Sequence, residues 1–244
     1  MLAFIVQARL GSTRLPNKII LPFYNGKSIF ELLLEKLSEF KDVKCIVATT
    51  TDRTNDVLES ICDKYRIACY RGDENDVLQR FIDAATEYNI DRIVRVCSDN
   101  PFLNKNAIEE LLQTAIATDA DYVSFNVGGV PSIKTHYGFW TEYVRLDTLE
   151  RVKSLTNDML YHEHVTNYIY SHPGVFKIEW LGVPSVVISN NIRLTIDTQQ
   201  DFNNARLVYE QLGDEASIEQ LFAYIKQNPI IAQSMQKQIA DNTK

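Results

Sequence analysis

Short apolar runs alternate with amphipathic stretches through the first half of the chain. Nearly continuous apolar runs occupy residues 2–6, 44–48, 92–96 and 121–125, and a weaker run occupies residues 67–70. Each run has the length of a strand that is buried on both faces, as strands are in a parallel sheet covered by helices. The pattern therefore predicts four strands and a weaker fifth.

The stretches between these runs have apolar residues at helical spacing. They cover residues 56–65, 77–88 and 105–117, and an earlier helix follows Ser28 and Glu31, which have the spacing of a capping box. Repeated strand–helix units with right-handed crossovers predict an α/β fold with a doubly wound sheet. Ligands bind such sheets beyond the carboxyl ends of the strands. We therefore expect the loops that follow the strands to meet at one edge.

The alternation stops near Gly128, and the chain stays irregular and rich in aromatic residues until about Pro184. We interpret residues 128–184 as an excursion from the core of a single domain that spans residues 1–244. Residues 193–198 then return to the core, and helices close the chain, one of which follows Ser217 and Gln220 in the spacing of a capping box.

Composition narrows the class of protein. The hydrophobic content of 45% is enough for a substantial core, and the net charge of -7 argues against a general nucleic-acid surface. No apolar stretch is long enough to cross a bilayer, and the first apolar run is too short for a signal peptide. The four cysteines form no C-x-x-C pair, which argues against a zinc site. These features predict a cytoplasmic protein with free thiols that binds neither nucleic acid nor membranes.

The loop after the first apolar run has the sequence A-R-L-G-S-T-R-L-P-N-K over residues 8–18. Arg9, Arg14 and Lys18 place three cations around Gly11, which permits a tight turn and a close backbone approach to a ligand. Backbone amides combined with Arg and Lys side chains are typical of phosphate sites. A solvated basic loop is the alternative, but the preceding strand and the order of Gly, Ser, Arg, Pro and Lys favour phosphate binding.

Two acidic turns also follow apolar segments. Asp99 comes directly after a predicted strand, in S-D-N-P, and Asp197 lies in I-D-T. Either carboxylate alone would be explained as a cap of a loop or helix. Together at one sheet edge, they could hold Mg²⁺ in an oxygen shell completed by phosphate and water.

Four segments in this order carry a family resemblance. They are the opening loop, S-D-N-P around Asp99, E-H-V-T-N-Y-I-Y-S-H-P from Glu163 to Pro173, and R-L-T-I-D-T-Q-Q-D from Arg193 to Asp201. Together they resemble the spore-coat polysaccharide branch of the CMP-sugar cytidylyltransferases, over roughly the first 212 residues. In the opening segment, an Asn occupies position 17, where the family commonly has Gly, and Asn tolerates a left-handed backbone.

The resemblance implies a fold, an activity and an assembly. The fold would be a Rossmann-like, doubly wound mixed sheet of the nucleotide-diphospho-sugar transferase type, with the excursion serving sugar binding and dimerisation. The enzyme would join CTP to an acidic sugar, a nonulosonic acid or a Kdo-like sugar, and release pyrophosphate. It would require Mg²⁺, form a homodimer and serve the synthesis of surface polysaccharide or glycan.

Site residues follow from matching the motifs to this chain. Catalytic roles are implied for Arg9, Lys18, Asp99 and Asp197, the two aspartates being the magnesium ligands. A fifth segment, R-G-D-E-N-D-V-L-Q-R from residue 71, resembles the family's R-G-x-x-x-D-V-L-x-R, although acidic capping of a helix explains it equally well. The implied nucleotide-binding residues are Ala8, Arg9, Gly11, Ser12, Arg14, Lys18, Arg71 and Asp76.

The excursion supplies the remaining candidates and alternatives. His136 and Tyr137 are candidate sugar-binding residues, and the aromatic residues around them would form a sugar wall or a dimer core. A nucleotidyltransferase that uses another NTP or a sugar 1-phosphate is one functional alternative. A non-catalytic protein that binds nucleotide sugars is another, which the cationic loop and both aspartates disfavour.

Overall fold

The computed structural model describes residues 1–241. Seven strands form the main path of one sheet in the order β10-β7-β9-β6-β1-β4-β5, and β8 pairs with β7 at one side. Two short strands, β2 and β3, form a separate hairpin. The strands are β1 Leu2–Gln7, β2 Pro22–Tyr24, β3 Lys27–Ser28, β4 Lys44–Thr50, β5 Ala68–Gly72, β6 Arg92–Cys97, β7 Tyr122–Val127, β8 Val130–Pro131, β9 Glu142–Arg145 and β10 Ile178–Leu181.

Eleven α-helices accompany the strands within the described residues, and the predicted capping boxes begin two of them, at Ser28 and Ser217. No helix in this part of the chain combines the length and apolarity that crossing a membrane requires. The helices are α1 Ile29–Leu37, α2 Asp56–Tyr65, α3 Val77–Glu87, α4 Lys105–Ala117, α5 Leu146–Leu155, α6 Met159–Glu163, α7 Asn167–Ser171, α8 Ser185–Ile188, α9 Gln199–Leu212, α10 Ile218–Gln227 and α11 Pro229–Asp241.

The sheet is covered on both faces, which confirms the doubly wound fold. Along β1, Phe4 and Val6 join the apolar cluster on one face, while Ala3 and Ile5 join the cluster on the other. This alternation follows from the two-residue period of a strand. All five predicted strands are present, including the weaker one, which becomes β5.

The excursion differs from its prediction because part of it belongs to the sheet. Strand β9 lies between β6 and β7 and is antiparallel to both, whereas the β1–β4, β1–β6, β4–β5 and β7–β10 pairs are parallel. The sheet is therefore mixed, and residues 128–184 complete the core as well as extending beyond it.

Candidate active site

The carboxyl ends of β1 and β6 open onto a cavity of about 450 Å³. The loop of residues 8–18 follows β1, the S-D-N-P turn follows β6, and the I-D-T turn precedes α9. Because these three segments meet, the structure brings together most of the predicted phosphate and metal residues. The lining residues are Gln7, Arg9, Gly11, Ser12, Thr13, Arg14, Lys18, Ile19, Cys97, Ser98, Asp99, Glu163 and Asp197.

Lys18 lies between the two aspartates at the centre of this cavity. Its Nζ donates to Asp99 Oδ2 at 2.6 Å, to the carbonyl oxygen of Ile196 and to Asp197 Oδ1 at 3.5 Å. Burial alone would lower the pKa of Lys18, but the charges of Asp99 and Asp197 and the hydrogen bonds to them raise the pKa above its ordinary value. Lys18 is therefore a fixed positive charge at neutral pH.

Asp197 is held by arginines from two directions. Arg14 approaches Asp197 Oδ1 at 2.8 Å, and Arg193 Nη2 donates to Asp197 Oδ2 at 2.9 Å. Arg193 is buried and also pairs with Asp201, through Nε to Oδ1 at 2.7 Å, while its Nη1 contacts His136 Nδ1 at 2.7 Å. This network fixes the orientation of the Asp197 carboxylate toward the cavity.

Asp201 also shapes the turn that carries Asp197. Its Oδ2 accepts from the backbone amides of Asp197 at 3.1 Å and Thr198 at 2.9 Å, and Thr198 and Asp201 form a capping box at the start of α9. The turn is therefore built by the first residues of a helix, which is a rigid support for a ligand-binding carboxylate.

The opening loop is braced by backbone geometry. Asn17 has φ of 59°, so it adopts the left-handed conformation that was expected where the family commonly has Gly. The buried Asn55 accepts a hydrogen bond from the Leu10 amide at 2.9 Å. Gly11 has no positive φ, and a Cβ built there would meet Glu74 Oε1 at an ordinary 3.6 Å. Gly11 thus contributes open space at the cavity wall.

A second cavity of about 180 Å³ adjoins the first and shares Cys97, Asp99 and Asp197 with it. Its other walls carry hydroxyl, amide, imidazole and indole groups, which are the groups that contact hydroxyl-rich ligands. The two cavities together provide adjacent spaces on either side of the aspartates. The remaining lining residues of the second cavity are Arg95, Asn100, Ser132, Ile133, Thr135, Gly138, Trp140, His164 and Thr195.

A buried polar cluster lies where β6, β9 and β7 run side by side. Arg95 Nη1 donates to Glu142 Oε2 at 2.6 Å, and its Nη2 donates to Gln7 Oε1 at 3.1 Å. Glu142 also accepts from the Tyr122 hydroxyl and, at 3.2 Å, from the Thr166 hydroxyl. Burial alone would lower the pKa of Arg95, but the charge of Glu142 and the hydrogen bond to it outweigh burial and raise that pKa. This ion pair ties the excursion strand to the floor of the second cavity.

Five predicted site residues lie outside the linings of both cavities. Ala8 is buried, and its amide donates to the carbonyl of Ala48 at 3.3 Å. Arg71 is bound by Thr50, Asp52, Asp56 and Glu59, so its guanidinium braces the loop after β4. Asp76 accepts from the Gln79 amide at 2.9 Å as the N-cap of α3, and contacts His162 Nδ1 at 3.0 Å.

The fourth is Tyr137, which the structure places in the core. Its ring packs against Phe139, Trp140 and Phe222, and its hydroxyl donates to the carbonyls of Val187 at 3.0 Å and Asn190 at 2.8 Å. Backbone carbonyls accept the hydrogen bonds of its hydroxyl, and aromatic side chains cover its ring. Tyr137 therefore has a structural role in place of the predicted contact with the sugar.

His136 reaches the site indirectly. An arginine guanidinium only donates hydrogen bonds, so in the contact with Arg193 the Nδ1 of His136 accepts and its ring is neutral there. His136 therefore lines neither cavity, and it acts on the site only by holding the guanidinium of Arg193. Trp140, Thr135 and His164 occupy the cavity wall instead.

Several residues of the site were not assigned roles from the sequence. Arg95 lies in the predicted strand of residues 92–96, whereas Glu142 lies in the excursion, and only the pairing of β6 with β9 brings them together. Glu163 lies in the family motif, and its Oε1 is 3.5 Å from Arg9 Nη2, across the mouth of the first cavity. A charged residue inside a predicted buried strand, such as Arg95, is the signal that could have identified the cluster.

The donor set suits a divalent cation only in part. Within residues 1–241, no group of three or more His, Cys, Asp or Glu side chains could hold a metal ion. Asp99 and Asp197 offer carboxylate oxygens around one shared position, which is the ligand type that Mg²⁺ prefers. The two aspartates therefore fit Mg²⁺ that arrives with phosphate oxygens and waters of its own.

This fold and this cationic, aspartate-bearing cleft define a nucleotidyltransferase. Residues 3–238 match the cytidylyltransferase family, and the chain belongs to that family. The fold is that of the nucleotide-diphospho-sugar transferases.

Particular relatives refine the comparison. The chain is 30% identical over 236 residues to the spore coat polysaccharide biosynthesis protein SpsF of Bacillus subtilis, covering 93% of this chain and 94% of that protein. It is 30% identical over 123 residues to the 3-deoxy-manno-octulosonate cytidylyltransferase of Francisella tularensis subsp. novicida, covering 49% of this chain and 48% of that protein. The structure of a cytidylyltransferase from Leptospira borgpetersenii superposes with a TM-score of 0.83 at 31% identity, covering 95% and 96% of the two chains.

Proposed function

We propose that this cytidylyltransferase joins CTP to an acidic sugar, giving a CMP-sugar and pyrophosphate for the synthesis of surface polysaccharide or glycan. The observation that carries the proposal is the pair of adjoining cavities that share Asp99 and Asp197. One is lined by the cations of the opening loop and suits a triphosphate. The other is lined by hydroxyl and aromatic groups and suits a sugar.

The acidic nature of the sugar is supported by the relatives. The Francisella relative is named for 3-deoxy-manno-octulosonate, which is a sugar acid, and SpsF is named for polysaccharide biosynthesis. In this chain, Arg95 and His164 are the basic side chains that line the second cavity. Arg95, which is held by Glu142, and His164 are therefore the two candidates for meeting a carboxylate.

In the proposed reaction, the anomeric hydroxyl oxygen of the sugar attacks the α-phosphorus of CTP. A bond forms between that oxygen and phosphorus, and the bond between the α-phosphorus and the oxygen that bridges to the β-phosphate breaks, so that pyrophosphate leaves with that oxygen. The hydroxyl proton passes to water. Such transfer depends chiefly on alignment and on neutralising charge. The shared wall of the two cavities lets this chain hold the two substrates against each other.

The chain's own cations supply most of the charge neutralisation. Arg9, Arg14 and Lys18 line the first cavity, where they would contact the phosphates and stabilise the leaving pyrophosphate. Asp99 and Asp197 would hold Mg²⁺, which when bound lowers the pKa of a coordinated hydroxyl and screens phosphate charge. Arg193 and Asp201 keep Asp197 in place.

We also propose a homodimer formed through the excursion. Four of its apolar side chains are about half exposed: Leu155, Met159, Leu160 and Val175. They lie in or beside α5, α6 and the turn after α7. Apolar side chains that are exposed on successive segments of the chain in this way are typical of an interface.

The activity is tested by measuring pyrophosphate release. The full chain is incubated with MgCl₂, each of the four NTPs, and a panel of 3-deoxy-2-keto sugar acids, neutral hexoses and sugar 1-phosphates. We expect release with CTP and at least one sugar acid, together with a CMP-sugar detected by mass spectrometry. Release that depends on another NTP or on a sugar 1-phosphate would overturn the proposal, and so would binding of CMP-sugars without any turnover.

A further inference from the structure

The ammonium group of Lys18 lies between two carboxylates, in a position that would also suit a metal cation. An ammonium group has three N–H donors, and those of Lys18 meet three oxygen atoms, one each from Asp99, Ile196 and Asp197. The side chain of Lys18 is only 12% exposed. A phosphate can therefore gain a hydrogen bond from Lys18 only if one of these oxygens loses its own.

The second cation on this carboxylate pair also comes from the opening loop. Arg14 contacts the same Oδ1 atom of Asp197 that Lys18 contacts, and its side chain is 46% exposed. Arg193 contacts the other oxygen and is fully buried. The charges that neutralise the cavity side of Asp197 thus belong to the segment that faces an incoming triphosphate.

We propose that the ammonium group of Lys18 occupies the position of the divalent cation in the nucleotide-free protein. Asp99 and Asp197 then bind the metal only after a triphosphate has displaced Lys18 from between them. The inference rests on the proposed function, because it takes the triphosphate and the metal to share the first cavity. An ammonium and a divalent cation repel each other strongly at contact distance in a partly buried site, and they cannot both lie between the same two oxygens.

Two consequences follow for binding. The nucleotide-free enzyme binds divalent cations weakly, because the carboxylates are already neutralised. The nucleotide and the metal then strengthen each other's binding by the same factor, since a coupling free energy between two ligands is reciprocal.

The test uses Mn²⁺ as the probe, and electron paramagnetic resonance measures the free ion. The full chain is titrated with Mn²⁺ alone and with α,β-methylene-CTP, which releases no pyrophosphate, and the Mn²⁺ affinity of the analogue itself is subtracted. We expect the analogue to tighten Mn²⁺ binding to the protein by about tenfold or more. In the absence of nucleotide, we expect Lys18→Met to bind Mn²⁺ about tenfold more tightly than the unmodified protein does. A factor of this size is typical of the coupling between two ligands.

Two further variants assign the effect to this site. Lys27→Met removes a lysine of β3, in the separate hairpin, that pairs with Glu35. This variant should bind Mn²⁺ as the unmodified protein does. Adding Asp99→Asn to Lys18→Met should abolish the gain. Circular dichroism checks folding, and Lys18→Gln replaces Lys18→Met if the latter does not fold, because its amide can still donate to Asp99.

Tight Mn²⁺ binding to the nucleotide-free, unmodified protein would overturn the proposal, and so would the absence of a gain in a folded Lys18 variant. The titration uses no sugar and measures no turnover. Its failure is therefore separate from a failure to find an acceptor in the pyrophosphate assay.

Discussion

Asp197 receives three cationic side chains, and these differ in what they can do. Arg193 is buried and bound to Asp201 and His136, so it can only hold Asp197 in position. Arg14 and Lys18 line the cavity and can exchange a carboxylate for a phosphate. A single carboxylate thus has one permanent partner and two exchangeable ones, which suits a group that must change ligands during a reaction cycle.

The first prediction concerns Asp99 and Asp197. Asp99→Asn and Asp197→Asn keep the shape of each side chain but remove the charge that would hold the metal. We expect each to lower turnover by about 100-fold or more, equivalent to roughly 3 kcal/mol of transition-state stabilisation. Pyrophosphate release at saturating CTP and MgCl₂ measures the effect, and circular dichroism checks the fold.

Asp119→Asn is the control for this pair, because Asp119 is an exposed aspartate that contacts Lys177 and lines neither substrate cavity. It should retain full turnover. Unchanged, magnesium-dependent turnover in a folded Asp99 or Asp197 variant would remove that residue from the metal site.

The second prediction concerns the contribution of Arg14 to CTP binding. Its guanidinium can direct two donors at a phosphate, and it stands with Lys18 on the loop side of the cavity. Arg14→Ala should weaken CTP binding by about tenfold, the cost of one charge-assisted hydrogen bond, while weakening CMP binding much less. Isothermal titration calorimetry with both nucleotides measures the difference, with the exposed Arg206→Ala as control. Equal losses for CTP and CMP would place Arg14 away from the β- and γ-phosphates.

Among the elements, β9 links the excursion to the site most directly. It inserts antiparallel between β6 and β7, and the register places Glu142 opposite Arg95. The pair is almost fully buried, with 6% and 2% of the two side chains exposed. A buried ion pair of this kind stabilises a fold less than apolar packing would, but breaking it is costly.

Glu142→Ala should therefore destabilise the protein by about 3–5 kcal/mol, because it leaves the buried Arg95 charge without its partner. It also leaves the Tyr122 hydroxyl without its carboxylate acceptor. Urea denaturation followed by circular dichroism gives the free energy of unfolding. Glu150→Ala, on the exposed face of α5, is the control and should change that free energy little. A loss in Glu142→Ala no larger than in the control would show that Arg95 is compensated elsewhere.

Elements with local signals were predictable from the sequence. The capping boxes at Ser28 and Ser217, the apolar strands and the left-handed Asn17 all depend on neighbouring residues, and the structure confirms them. Strand β9 was not predictable, because T-E-Y-V-R is short and its charged residues find partners only across the sheet. Tyr137 was assigned to the sugar for a similar reason, since sequence alone does not distinguish a cavity wall from a core.

At the scale of the whole molecule, topology explains why the candidate site could be outlined in advance. The parallel strands β1 and β6 are neighbours, so the loops that follow them must lie at one edge, although 81 residues separate Lys18 from Asp99. The second cavity could not be outlined in this way. Half of its lining residues come from the excursion, where no regular alternation of strands and helices fixes which segments meet.

The excursion also carries the last prediction, which concerns assembly. The family resemblance suggests dimerisation through this segment, and Tyr168 is an aromatic residue of the motif from Glu163 to Pro173 that could contribute a contact. The structure gives Tyr168 intrachain partners instead, with ring centroids 4.0 Å from His172 and 4.9 Å from Tyr161. Tyr168→Asp should therefore destabilise the fold rather than separate two folded chains. Met159 and Leu160, which are 51% and 50% exposed, are better probes of an interface.

We expect Leu160→Asp to convert a homodimer into a folded monomer, because an unpaired charge in a desolvated interface is costly whereas the same charge on an exposed surface is not. Light scattering coupled to size-exclusion chromatography gives the mass, and circular dichroism and thermal melting report the fold. Ile230→Asp, at an 85% exposed position on α11, is the matched control and should leave the mass unchanged. A Leu160→Asp protein that keeps the mass of two chains would place the interface elsewhere, and an unmodified protein with the mass of one chain would exclude the homodimer.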